Sequence, residues 1–149
     1  KVSIVLPDSA LTYCEHLKAG VISGAAKAGV EYEFASDITS FSPSDMVRNY
    51  ITKRVRRPDG PDGWICVSEV SALAVIGALE EAGAKLGETA HMVTKQNSPM
   101  FAPIQPHADT VHEDFVDAGY QMATILLKRI AGETEGLQYL AAPKFEWKD

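Results

Sequence analysis

Four histidines, two cysteines and a surplus of carboxylates are the groups of this 149-residue sequence with which chemistry could be done. His16, His91, His107 and His112 are scattered, and none stands in an H-E-x-x-H or other compact zinc-ligand spacing. At His112-Glu113-Asp114 an imidazole adjoins two carboxylates, a set that could hold a metal or pass a proton. Adjacent residues point in different directions, however, and both acids equally suit the positive end of a helix. Cys66 lies in an apolar run and reads as core. Cys14, near a helix start, would be a nucleophile only with an activating partner, and no histidine is assigned to it. Two cysteines outside any C-x-x-C spacing fit reduced thiols in a cytoplasmic protein. The phosphate loops G-x-G-x-x-G and G-x-x-x-x-G-K-[ST] and the nucleophile elbow G-x-S-x-G are absent. No catalytic residue, metal or cofactor is therefore assigned, and the sequence reads as a non-enzyme.

Composition narrows the partners. Fourteen basic and 20 acidic residues leave a net charge of −6, which disfavours this chain as a surface for nucleic acid. Hydrophobic residues at 46% and charged ones at 23% match a globular domain with one core. No apolar run approaches the roughly 20 residues that span a bilayer, so no membrane contact is expected. The sequence starts at Lys1 and enters a strand pattern at once, so an N-terminal portion is expected to have been cut away.

The elements that must position these residues alternate. Val2 to Leu6 reads as a buried strand. A helix follows from Leu11 to Ala28, with Ser9 as N-cap and Gly29 as its stop. Gly20 and Gly24 weaken that helix by about 1 kcal/mol each relative to alanine, which suggests close packing against a neighbour. Tyr32 to Ala35 is the next strand. Ser42-Pro43 predicts an N-cap and first helical residue, and Met46, Val47, Tyr50 and Ile51 share a face of the helix after it. The basic run Lys53, Arg54, Arg56, Arg57 ends that helix and reads as a solvated face complementing the helix dipole. Trp64 to Val67 is a strand, Ser68 caps a helix from Glu69 to Ala82, and His91 to Thr94 is a strand. Pro99, Pro103 and Pro106 make a long loop. Asp114 to Ile130 is the last helix, and Ala141 to Trp147 the last strand. The order predicts an α/β fold: a three-layer, mostly parallel sheet with helices on both faces and right-handed crossovers. Ligands in such folds sit beyond the carboxyl ends of the strands, which here means the turns at Pro7, Asp37, Ser68 and Thr94.

One stretch is more specific than this pattern. PDGWICVSEVSALAVIGALEEAGAKLGE resembles the segment of LacI/GalR-type transcriptional regulators in which a short strand runs into Asn-Asp, an alanine-rich helix and a glycine turn. HMVTKQNSPMFAPIQPHADTVHEDFVDAGYQMATILLKRIAGE is similar to their strand, Asp-Asp-Ser-Pro turn, threonine-valine crossover and helix. PKFEW is similar to their terminal strand. YCEHLKAGV and the turn from Asp37 to Phe41 occupy the places of the family's Arg-x-x-x-x-Gly helix and polar strand-end turn. The likeness is strong from Trp64 onward and looser before it. It implies the C-terminal lobe of a periplasmic-binding-protein-like (type I) effector domain over residues 1–109. Residues 110–132 would be a crossover and a helix packing on a first lobe absent from this chain, and 133–149 a return to the C-terminal lobe. Operator DNA would be bound only through an N-terminal domain likewise absent.

The resemblance also implies a site. By position the effector-facing residues are Glu15, Ile38, Ser68 and Gln96, with Asp37, Glu69 and Asn97 close by. Glu15 replaces an arginine that clamps sugar hydroxyls, Ser68 an asparagine and Gln96 an aspartate. An effector with a cationic or donor-rich group near Glu15 would fit these changes, and so would a Glu15 that is only a solvated helix residue. A homodimer would use Val70, Leu73, Phe101 and Ile104, for which ordinary core packing is the alternative. The last helix spreads apolar residues over too much circumference for one buried stripe, so part of it is expected to be exposed or to dock on another copy. The leading function is ligand sensing and dimerisation in a DNA-binding regulator. A periplasmic sugar-binding protein of an ABC transporter is the alternative.

Overall fold

The computed structural model describes residues 1–98 and 101–148, with the side chains of Ala102 and Ile104 outside the described set. Six strands form one sheet. In chain order the elements are β1 (Val2–Val5), α1 (Tyr13–Ala28), β2 (Tyr32–Phe34), α2 (Ser44–Val55), β3 (Gly63–Cys66), α3 (Glu69–Glu81), β4 (His91–Gln96), α4 (Phe101–Ile104), β5 (Asp109–His112), α5 (Phe115–Ile130) and β6 (Lys144–Glu146). The spatial order is β2-β1-β3-β4-β5-β6, parallel throughout except for β6, which runs antiparallel along the edge. This is the expected α/β architecture with helices on both faces.

Three local expectations need correction. α1 starts at Tyr13, because the Asp8 carboxylate accepts the Ala10 N–H at 2.9 Å and the Asp8 carbonyl accepts that of Leu11 at 3.0 Å. That Asx turn takes up the residues Ser9 was to cap. α2 starts at Ser44 with Pro43 at its N-cap, since Ser42 Oγ accepts the Thr39 N–H at 2.8 Å and belongs to the preceding turn. The proline-rich loop contains a short turn of helix, α4, and leads into a strand, β5, that sequence reading passed over. Asp109-Thr110-Val111-His112 carries one apolar residue, and its pairing comes from β4 on one side and β6 on the other.

The core lies on one face. Side chains of Val5, Trp64, Cys66 and Met92 project toward α2 and α3, where Val47, Ile51, Val75 and Leu79 meet them, all at 2% exposure or less. Each such large side chain contributes about 1.5–3 kcal/mol by leaving water. Arg54, expected on a solvated face, is instead 13% exposed, because Glu33 of β2 accepts from its Nε at 2.8 Å and from a second guanidinium nitrogen. Lys53, Arg56 and Arg57 are exposed as expected.

On the other face α1 lays Cys14, Leu17 and Val21 over Ile4, Leu6 and Ile65. It covers only part of the sheet. Between α1 and β6 runs an apolar trough of about 960 Å³, floored by Ile65, Val93, Val111 and Phe145. α5 has no buried residue.

Candidate functional site

The carboxyl ends of β3 and β4 lie side by side, with Cys66 paired to Thr94, and this register brings together two pairs of expected site residues. Ser68 caps α3: its Oγ accepts the Ser71 N–H at 3.2 Å and lies 2.9 Å from Ser71 Oγ, which in turn reaches the Ser68 carbonyl at 2.9 Å. Glu69 enters the first turn of α3, where the helix dipole favours an anion. One of its oxygens accepts the N–H groups of Asn97 and Ser98, at 2.9 and 2.7 Å. Gln96 is 7% exposed and donates through Nε2 to the Ser98 carbonyl at 2.8 Å. The loop after β4 is therefore held from both sides, and Asn97 is left exposed on it. Capping and loop anchoring engage the Ser68 hydroxyl, one carboxylate oxygen of Glu69 and the Gln96 amide nitrogen.

Glu15 and Asp37 stand apart from that cluster, on α1 and beyond β2. Glu15 is exposed, and its only ion pair among the described residues is with Lys18, at 2.8 Å one helical turn on. That hydrogen bond raises the Lys18 pKa. Asp37 is exposed, whereas Ile38 is 4% exposed and packs into the core beneath α2 and α3. Ile38 thus anchors its loop and offers no free apolar surface to a ligand. Asp37, the turn after Pro7, Ser68 and Asn97 all lie beyond the carboxyl ends of the parallel strands.

The remaining chemical candidates have structural partners. Cys66 is fully buried, which pushes its thiol up to about 12 and leaves it un-ionised. Cys14 is buried with Sγ 3.8 Å from the Pro7 carbonyl. Glu113 pairs with Lys95 at 2.8 Å. Asp114 caps α5 by accepting the Asp117 N–H at 3.0 Å; this bond, with Lys144 at 3.6 Å, holds its carboxyl below the ordinary aspartate range. Glu113 and Asp114 are thus spent on the β5–α5 junction. Among the described residues no group of histidines, cysteines and carboxylates could hold a metal, and no helix is long and apolar enough to cross a membrane.

Of the expected dimer residues, Val70 and Leu73 are 66% and 41% exposed on the outer side of α3. Phe101 is 3% exposed and belongs to the chain's own core. The side chain of Ile104 lies outside the described residues. Sequence reading missed Lys95, which joins Glu113 and sits 5.8 Å from the Phe115 ring, tying β4 to the start of α5. Its only signal was the pairing of β4 with β5, and β5 itself carried none.

Comparison with known proteins agrees with this geometry. The periplasmic binding protein-like domain model matches residues 2–143. The HTH-type transcriptional repressor PurR of Haemophilus influenzae (strain PittEE) is 24% identical in a match covering 86% of this chain and 43% of its own length. A LacI family transcriptional regulator from Bifidobacterium animalis subsp. lactis superposes with a TM-score of 0.82 at 16% identity, over 99% of this chain and 53% of its own. A periplasmic binding protein/LacI transcriptional regulator from Alkaliphilus metalliredigens, complexed with D-xylulofuranose, does so at 0.75 and 19% identity, over 98% and 55%. The chain spans less than half the length of the curated relatives it matches. From the family match over nearly the whole sequence and the fold that accompanies it, this chain belongs to the periplasmic binding protein-like domain family.

Proposed function

We propose that this chain is the ligand-sensing and dimerisation part of a LacI-type DNA-binding transcriptional regulator, acting in the cytoplasm and catalysing no reaction. The observation that supports it is the family match over residues 2–143, shared with relatives that are repressors and regulators. The effector, a sugar or related metabolite, sits against the strand-end wall of Asp37, Ser68 and Asn97 and is closed in by a second lobe. Glu15, displayed on the first turns of α1, selects a donor-rich or cationic group on that effector. Val70 and Leu73 supply the apolar centre of a homodimer contact on α3. With a net charge of −6, this part leaves operator DNA to another domain of the polypeptide.

Calorimetry on the full-length polypeptide against pentoses, hexoses and amino sugars, paired with DNA mobility shifts, tests the reading. The expected result is one ligand bound about tenfold more weakly after Glu15→Ala, and a change in DNA affinity with that same ligand. Tight binding of an ordinary hexose with no effect of Glu15→Ala would remove the role of Glu15. The complex with D-xylulofuranose formed by the Alkaliphilus protein favours a second reading, a periplasmic sugar-binding protein serving transport. Sugar binding with no DNA binding at all would select it.

A further inference from the structure

The turns after β3 and β4 are joined by one carboxylate. A single Glu69 oxygen accepts from two successive backbone N–H groups, Asn97 at 2.9 Å and Ser98 at 2.7 Å, across 28 residues of sequence to the first of them. Consecutive amides converging on one anion make a concave cradle, and bonds to a charged acceptor are about twice as strong as neutral ones. Two donors also fill the two lone pairs of that oxygen, so it has none left for a ligand. The support is stiff. Glu69 opens α3, where the helix dipole favours its charge, and the following Ala72 and Val75 have none of their surface exposed and pack into the larger core cluster. Asn97 is exposed, and among the described residues no hydrogen bond is made by its carboxamide. The direction of that side chain is therefore set by its backbone, and its backbone is held by Glu69.

We propose that Glu69 is a positioning residue for effector binding: it aims Asn97 at the ligand by fixing the backbone of residues 97 and 98, and makes no contact with the ligand itself. The inference rests on the reading above that the effector lies against Ser68 and Asn97. Likeness to relatives set Glu69 among the residues near the effector, and its hydrogen bonds give it a different task there. A loop ordered before the ligand arrives spares binding the cost of ordering it. In a loop that is competent only part of the time, the apparent dissociation constant rises by the inverse of the competent fraction. Gln96 steadies the same loop through the Ser98 carbonyl at 2.8 Å, but it acts from β4, the strand that the loop continues. Glu69 acts from a separate element, so it sets where the loop stands relative to Ser68, the cap of α3.

Calorimetry on the full-length polypeptide tests this, with the tightest binder among pentoses, hexoses and amino sugars as the probe. Asn97→Ala is expected to weaken binding about tenfold and Glu69→Ala about fivefold. Adding Asn97→Ala to Glu69→Ala should cost less than about twofold further, because a side chain no longer aimed has little left to lose. Glu69→Gln should stay within about threefold of wild type, since its amide oxygen can accept the same two N–H groups. Deuterium exchange supplies a readout that a purely structural role would not move. In Glu69→Ala the Asn97 and Ser98 amides, fast without sugar, should return toward wild-type protection at saturation, the ligand then ordering the loop. Equal weakening by Glu69→Gln and Glu69→Ala would mean that the carboxylate itself touches the ligand, and would overturn the inference. So would additive losses in the double variant, or wild-type affinity in Glu69→Ala beside weakened binding in Asn97→Ala. A probe indifferent to Asn97→Ala, or a panel of which no member binds, would instead remove the effector reading and this inference with it.

Discussion

The two faces of the sheet are served by the same strands and finished in opposite ways. Toward α2 and α3, 15 buried residues form one continuous cluster; toward α1, among the described residues, only Ile4, Leu6 and Cys14 are buried together. The strands alternate their side chains, so each contributes equally apolar residues to both sides, Trp64 and Met92 to one and Ile65 and Val93 to the other. What differs is helix coverage. Two helices rich in β-branched and leucine side chains seal the first face, while α1 meets the second with a glycine and alanine stripe that leaves the sheet beside it open. The stability of this chain is therefore expected to reside mainly on the α2 and α3 side of the sheet.

Equilibrium urea unfolding would break that contrast most directly. Trp64→Ala is expected to cost about 3–5 kcal/mol, as removal of a large buried aromatic does, and Val93→Ala on the opposite floor about 1 kcal/mol or less. Equal costs would mean that the second face is as well packed as the first.

Arg54 sharpens the same contrast, because its pair with Glu33 fastens α2 to the edge strand β2 on the sealed side. Arg54→Ala is expected to cost about 1–2 kcal/mol, as loss of a half-buried charge-assisted bond does. The Arg54 guanidinium, followed by Lys1, holds the Glu33 carboxyl below its ordinary value. A carboxyl depressed in the folded state stabilises fully above its unfolded pKa, about 4.3, and loses that contribution as pH falls through the lower folded value. The gap between wild type and Arg54→Ala should therefore be constant at neutral pH and close below about pH 4. A gap that widened in acid would contradict the assignment.

At the strand-end wall the expected effect is local. Glu69→Ala removes the acceptor of two backbone N–H groups, so the amides of Asn97 and Ser98 should exchange with deuterium at least about tenfold faster, a local loss of roughly 1–2 kcal/mol. Those in β3 should be unchanged. The smallest change is Gly24→Ala. With open space where the Cβ would stand, helix propensity alone acts, and the chain should gain about 0.5–1 kcal/mol in a thermal melt. A loss would show that the trough is already closed by something against Gly24.

The sealed face was the more legible of the two. α3 announced itself through Ser68 before an apolar run and Gly83 after it, and every part of that signal is local. β5 was missed because its strand character comes from its neighbours: Val111 aligns with Lys95 on one side and Phe145 on the other, and neither alignment is written in residues 109–112. The site was legible in outline only. Strand-end turns located Ser68 and Thr94, and the resemblance placed Glu69, Gln96 and Asn97 beside them, but that Glu69 and Gln96 each turn a polar atom to the 97–98 backbone depends on the spacing of two parallel strands. Ile38 and Phe101 were placed by likeness where exposure was assumed, and their burial follows from the tertiary position of α2 and α4.

Cys14 and Cys66 each have 1% of their surface exposed, one under α1 and the other under α3. Each face therefore carries its own clock. A thiol reagent in excess can modify either sulfur only when its side of the sheet opens, so the two labelling rates, followed separately by mass, time the opening of the two sides without altering a residue. If the sheet opens as a unit the clocks run together; if α1 lifts while α2 and α3 stay, Cys14 runs ahead by the factor that separates the two stabilities.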